Sequence, residues 1–228
     1  MTTTYTFLGH AVHLIETGGY KLLVDPFLDG NPHAAAKADE IHCDYILVSH
    51  GHADHIGDSI AIAKRTGAQI ICNSEIFEWL YRQGIENVHE QHIGGACQHK
   101  FGNLKFTNAQ HGSSLPDGSY GGNPVGFLLT ANDAKRIYIA GDTGLFSDMA
   151  FYGEDGLDLA VLPLGDNFTM GPADALKAVK LLNPKHVVPC HYNTFPLIEQ
   201  DAAAWAKRVQ AETQTTPHVL KPGDSLTL

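Results

Sequence analysis

Residues 49–55 read Ser-His-Gly-His-Ala-Asp-His and follow directly on the apolar run 44–49 (DYILVS). Four potential metal ligands, His50, His52, Asp54 and His55, therefore stand together at the end of a buried strand. Imidazole and carboxylate suit Zn²⁺ and other first-row divalent ions. In an extended chain His50, His52 and Asp54 would share one face, and His55 would point away. The segment has to curl tightly instead, which the small side chains of Gly51 and Ala53 permit.

Three further candidate ligands end other apolar runs. His111 follows residues 104–110, Asp142 sits in GDTG after residues 136–140, and His191 follows residues 186–190. Each opens a loop containing Gly or Pro, and loops at one edge of a sheet are where binding groups collect. Together with the cluster they make seven ligands, the number two ions require. The 4 cysteines, Cys43, Cys72, Cys97 and Cys190, have no CxxC spacing, which argues against a zinc ribbon or a dithiol redox site.

The pattern around these ligands is β-rich at first, then alternates β and α. Strands are expected at 4–8, 11–17, 21–27, 44–49 and 69–72, with Gly18-Gly19 as a hairpin turn. Helices are expected at 58–65 and at 75–83, the second capped by Ser74. Further strands are expected at 104–109, 125–130, 136–140, 157–164, 186–189 and 218–228. Further helices are expected at 173–182, opened by Pro172, and at 199–211. Two sheets with helices on their outer faces would bury this order, although periodicity alone does not separate that from a three-layer α/β fold. With 43% hydrophobic and 18% charged residues and no linker, residues 1–228 read as one domain. No signal peptide or apolar run of about 20 residues is visible, so the cytoplasm is the expected setting.

HGHADH with later His111, GDTG and His191 resembles the metallo-β-lactamase superfamily across essentially the whole chain. LGHA (8–11), LLVDPFL (22–28), PVGF (124–127) and PCHYNTFP (189–196) narrow the resemblance to its small, poorly characterised metal-dependent hydrolases. These are related to ascorbate-6-phosphate lactonase-like and N-acylphosphatidylethanolamine phospholipase D-like groups. The resemblance implies an αββα four-layer sandwich of two mixed sheets with outer helices, and a site at one edge of both sheets. It also implies a division of ligands: His50, His52 and His111 for one ion, Asp54, His55 and His191 for a second, and Asp142 between them. Two divalent ions are expected, zinc first, with manganese or iron also accepted.

A hydroxide bridging the ions would then attack an ester, lactone, amide or phosphodiester, with Asp54 orienting it and taking its proton. Asp25 reads as an acceptor orienting a ligand histidine. His10 reads as a pocket residue, Thr143 as a partner for Asp142, and Asn193 as a substrate contact or a turn former. Segment 112–126 reads as a mobile wall or lid.

Alternatives on the same fold are a mononuclear-iron dioxygenase or a non-catalytic metal-binding protein. A flavin-linked di-iron reductase normally has a carboxylate where this chain has His52. The partner expected is a small-molecule substrate. A net charge of −10 and ligand segments free of Lys and Arg argue against nucleic acid. A homo-oligomer in which a neighbouring subunit closes the pocket is compatible with so small a chain.

Overall fold

The first three strands form an antiparallel meander in the computed structural model, which describes residues 2–228. They are β1 (Thr4–Gly9), β2 (Val12–Thr17) and β3 (Tyr20–Val24). Gly18 and Gly19 join the last two with φ of 59° and 85°, the doubly positive turn that matches strand twist. β3 then pairs in parallel with β4 (Tyr45–Leu47). Two helices, α1 (Ala53–Ile56) and α2 (Ser59–Thr66), precede β5 (Gln69–Cys72), and α3 (Ser74–Arg82) precedes β6 (Val88–Glu90).

The second half begins with an antiparallel run: β7 (Ala96–His99), β8 (Gly102–Asn108), β9 (Val125–Ala131) and β10 (Arg136–Ile139). After α4 (Met149–Gly153), β11 (Leu159–Pro163) pairs in parallel with β10. α5 (Pro172–Leu182) leads to β12 (His186–Cys190), and a 3₁₀ turn at Pro196–Ile198 precedes α6 (Ala202–Glu212). β13 (Thr216–Pro217) adds to β12, and β14 (Ser225–Thr227) returns to β1. One sheet has the order β14-β1-β2-β3-β4-β5-β6 and the other β13-β12-β11-β10-β9-β8-β7.

Side-chain alternation along the strands assigns the layers. Leu22 and Val24 of β3 face the other sheet, where they share a core with Phe106, Phe127 and Val161. Leu23 points outward to Ile62 of α2 and Ile76 and Leu80 of α3. On the second sheet, Leu159 and Val161 face inward, while Ala160 and Leu162 meet Leu176 and Val179 of α5 and Trp205 of α6. The result is the expected αββα sandwich. No helix among the described residues is long and apolar enough to cross a membrane.

Several local expectations are corrected. Residues 218–228 are not one closing strand. The chain leaves one sheet at β13 and joins the other at β14, turning through Pro222-Gly223 with Gly223 at φ 97°. Asn73, not Ser74, caps α3, its Oδ1 accepting the Ile76 N–H at 2.9 Å. α6 begins only at Ala202, because Asp201 caps it through the Ala204 N–H at 2.9 Å. β6, β7, α1 and α4 were not anticipated; all are short, and β6 and β7 are half-exposed strands at the ends of their sheets.

Candidate metal centre

The loops that carry the ligands meet because six strands end at one edge. His10 follows β1, Asp25 follows β3, and residues 49–55 follow β4. His111 follows β8, Asp142 follows β10 and His191 follows β12. Backbone bonds join the two sheets there: Val125 N–H donates to Ser49 O at 3.0 Å, and His191 N–H donates to His10 O at 2.8 Å.

The tight curl expected of residues 50–55 is a helical turn. His52 O accepts the N–H groups of His55 (3.0 Å) and Ile56 (2.9 Å), so α1 swings Asp54 and His55 toward His50 and His52. A Cβ on Gly51 would come within 3.1 Å of Ser114 O and of the Leu115 side chain, so glycine permits the close approach of segment 112–126.

All seven predicted ligands converge. Donor atoms of His50, His52 and His111 lie within 4.8 Å of one another. The same holds for Asp54, His55 and His191 together with His10, and for His50, His55 and Asp142. Asp142 Oδ2 is 3.3 Å from His55 Nε2, 3.6 Å from His111 Nε2 and 3.1 Å from His191 Nε2. Asp142 therefore stands between the two groups.

A buried relay orients two of the imidazoles. Asp25 Oδ2 accepts the His55 Nδ1–H at 2.9 Å and the Ser49 hydroxyl at 2.5 Å, while Oδ1 accepts the Ser49 N–H at 2.7 Å. Because the Ser49 hydroxyl donates to Asp25, its oxygen accepts from His50 Nδ1 at 2.9 Å. Both histidines then carry a proton on Nδ1, which leaves Nε2 as the nitrogen that would face a cation once any proton on it is displaced. His55 Nε2 is buried and lacks a hydrogen-bond partner, as does Asp142 Oδ1. Orphaned donors of this kind, in an all-imidazole-and-carboxylate set, fit divalent cations.

The charge balance gives the same answer. Burial opposes a charge on His55, yet Asp142 and Asp25 hold its pKa well above 6.5. Burial likewise opposes a charge on His191, but Asp142 and Asp54 raise it to about 9. Burial resists ionisation of Asp142, and His191 and His55 nevertheless hold its pKa well below the usual carboxylate range. His50 is pushed well below 6.5, first by burial and then by His55. Without metal, protons on His55 and His191 supply the positive charge that the two aspartates demand; a cation would displace them.

His52, Ala53, Asp54, His111, Asp142, His191 and Phe168 line an open cavity of about 380 Å³. The family profile of the beta-lactamase superfamily domain matches residues 20–192. A UPF0173 metal-dependent hydrolase of Pelotomaculum thermopropionicum is 50% identical over 228 residues, 98% of this chain and 99% of that one. The chain is a metal-dependent hydrolase of the metallo-β-lactamase superfamily. Igni18, described as a novel metallo hydrolase from Ignicoccus hospitalis, superposes on this hydrolase with a TM-score of 0.90 at 34% identity, covering 100% and 99% of the two chains. The metallo-beta-lactamase fold protein YhfI of Bacillus subtilis shares its fold, with a TM-score of 0.77 at 16% identity over the full length of both chains.

The remaining expectations divide. His10 is buried and integral to the hydrolase's site, its Nε2 3.1 Å from Asp54 Oδ2 and its Nδ1 2.8 Å from Thr194 Oγ1. Thr143 does not bond Asp142. Its hydroxyl accepts the Gln110 N–H and donates to Gly144 O, both at 2.8 Å, and so ties the His111 loop to the Asp142 loop. Asn193 does not line the cavity. It takes φ 60°, which asparagine tolerates, and its Oδ1 accepts the Gln200 N–H at 2.7 Å, so it shapes the turn.

Segment 112–126 walls the cluster and is tied to its surroundings at several points. Leu115 is buried, Ser113 Oγ accepts the Gly51 N–H, Asn73 Nδ2 donates to Gly121 O, and Trp79 Nε1 donates to Asp117. Sequence reasoning missed Ser49, Thr194 and Phe168. Only Phe168 had a signal, an aromatic in the polar loop that follows the buried run 157–164. Asp166 and Asn167, at φ 60° and 48°, turn that loop so that half-exposed Phe168 stands at the cavity.

Proposed function

We propose that the hydrolase is dinuclear and cleaves small, neutral or singly anionic esters, lactones, amides or phosphodiesters. One observation carries this reading: Asp142 lies within 3.6 Å of ligands from both groups, and members of both groups line one cavity with it. His50, His52 and His111 would hold one ion, and Asp54, His55 and His191 the other. Zinc is the first choice, and manganese or iron also suits these donors. Bound divalent ions polarise a carbonyl or phosphoryl oxygen and lower the pKa of water to about 7.

The chain's own groups prepare that chemistry. Burial lowers the His10 pKa to about 4, so this imidazole is neutral and carries one proton. Asp54 is held ionised, against its burial, by His10 and His191, and can only accept hydrogen bonds. His10 must therefore donate Nε2–H to Asp54 Oδ2 and accept the Thr194 hydroxyl at Nδ1. That fixes one carboxylate oxygen. The other remains available to take a proton from water in the cavity. Phe168 offers an apolar wall for the carbon part of a substrate, and no lysine or arginine lines the cavity to grip a polyanion.

The test is a panel of lactones, phosphodiesters, thioesters and β-lactams run on metal-reconstituted enzyme with the metal content measured. Turnover with two ions per chain is expected. Asp54→Asn at saturating metal should lose about 10²–10⁴ in kcat. One iron per chain with oxygen consumption would refute the reading, and so would full activity in Asp54→Asn.

A further inference from the structure

Three ligand-type side chains outside the cavity remain without a role. His89 lies on β6, the last strand of one sheet, and Cys97 and His99 lie on β7, the last strand of the other. Along β7, exposed Ala96 and Gln98 alternate with half-buried Cys97 and His99. The Cys-x-His spacing therefore turns both ligands to one face of the strand. There they meet His89, and one donor atom from each of the three lies within 4.8 Å of the others. Aromatic contacts brace the arrangement. The His99 ring stacks on Phe101 at 4.9 Å and 3°, and meets His89 edge-on at 4.9 Å and 82°.

We propose that His89, Cys97 and His99 form a second metal site, separate from the seven-ligand centre, which takes a thiophilic ion of the zinc class and staples the end strands of the two sheets together. A thiolate with two imidazoles selects zinc-like ions over magnesium, calcium or manganese, and leaves one tetrahedral position to solvent. His99 Nε2 is shielded from water and makes no hydrogen bond, and coordination at that nitrogen would offset the cost of leaving it bare. Burial, and then His89, hold the His99 pKa down to about 4, so the ring is already neutral at physiological pH, as ligation requires. The site shares no residue with the catalytic ligands. Its thiolate also gives it a spectroscopic signature that a nitrogen-and-oxygen centre lacks.

The experiment is a titration of chelator-stripped full-length protein with Co²⁺ as the probe for zinc. Wild type should bind one ion more than Cys97→Ser by equilibrium dialysis and elemental analysis. It should also develop thiolate-to-cobalt charge-transfer absorption in the near ultraviolet, which added Zn²⁺ abolishes. Cys97→Ser, a near-isosteric change at a half-exposed position, should lose that band and keep the visible cobalt bands of the other centre. His89→Asn should weaken the band's Co²⁺ affinity at least about tenfold. Absence of the band in wild type would overturn the proposal, as would its survival in Cys97→Ser. Loss of the band in Cys190→Ser alone would place the thiolate beside His191 and overturn it equally.

Discussion

Asp25 touches three groups at once, the Ser49 N–H, the Ser49 hydroxyl and the His55 Nδ1–H, from a backbone held at φ 46°. His10 and His191 are also left-handed, at φ 58° and 52°. Non-glycine residues enter this region at a cost, and such strain collects at functional sites. Asp25→Asn would replace an ionic acceptor of His55 with a neutral amide and disturb the relay to His50. Metal affinity should fall about 10–100-fold, read by competition with a chromogenic chelator. An affinity equal to wild type would show that the relay does not orient the ligands. Asp25 was legible as an orienting group from its place before Pro26, whereas Ser49 as its intermediary was not, since nothing local says which way a serine hydroxyl donates.

At the level of elements, α1 is only four residues long, yet it delivers Asp54 and His55. Its end is fixed by Gly57 at φ 36° and ψ −121°, where a Cβ would collide with Pro26 O and Phe27. Gly57→Ala should destabilise the fold by about 1–3 kcal/mol and lower the urea midpoint. Denaturation of the apo-protein checks this, and an unchanged midpoint refutes it. The long strands were readable for two different reasons: β8 alternates buried and half-buried positions, and β9 is a nearly continuous apolar run of strand length. β6 and β7, with three and four residues and half-exposed faces, carry too little alternation to register. The helix starts at Asn73 and Asp201 slipped because several polar residues near each start were chemically able to cap, and packing chose among them.

Across the whole molecule, a histidine that is not a ligand is expected to couple stability to pH. His13 on β2 is fully buried beside Tyr5, its Nδ1 2.9 Å from the phenol oxygen. Burial, followed by His55 and His10, lowers its pKa from 6.5 to about 3. Between those values the unfolded chain binds a proton that the folded chain refuses. Stability from this group is therefore complete above pH 6.5 and is lost as pH falls toward 3. The slope is about 1.4 kcal/mol per pH unit. Chemical denaturation of wild type and His13→Gln over this window should give slopes differing by one proton, the histidines of the metal centre being common to both. Equal slopes would mean that His13 does not couple folding to pH.

The sequence by itself determined which side chains could hold metal, their order along the chain, and their position at strand ends. These are properties of residue type and local periodicity. It also carried the layering of sheet and helix, because apolar runs of strand length alternate with helical ones, but only the resemblance of the ligand motifs narrowed that to two sheets with outer helices. Tertiary structure alone decided how those groups are wired. Asp25 reaches Ser49 across 24 positions and His10 reaches Thr194 across 184. Phe168 arrives at the cavity only because two left-handed residues turn its loop. His89, Cys97 and His99 look like scattered surface residues until the end strands of the two sheets close on each other. Ligand identity is chemical and local. Partner choice depends on strand register and on the approach of two layers, which no window of neighbouring residues encodes.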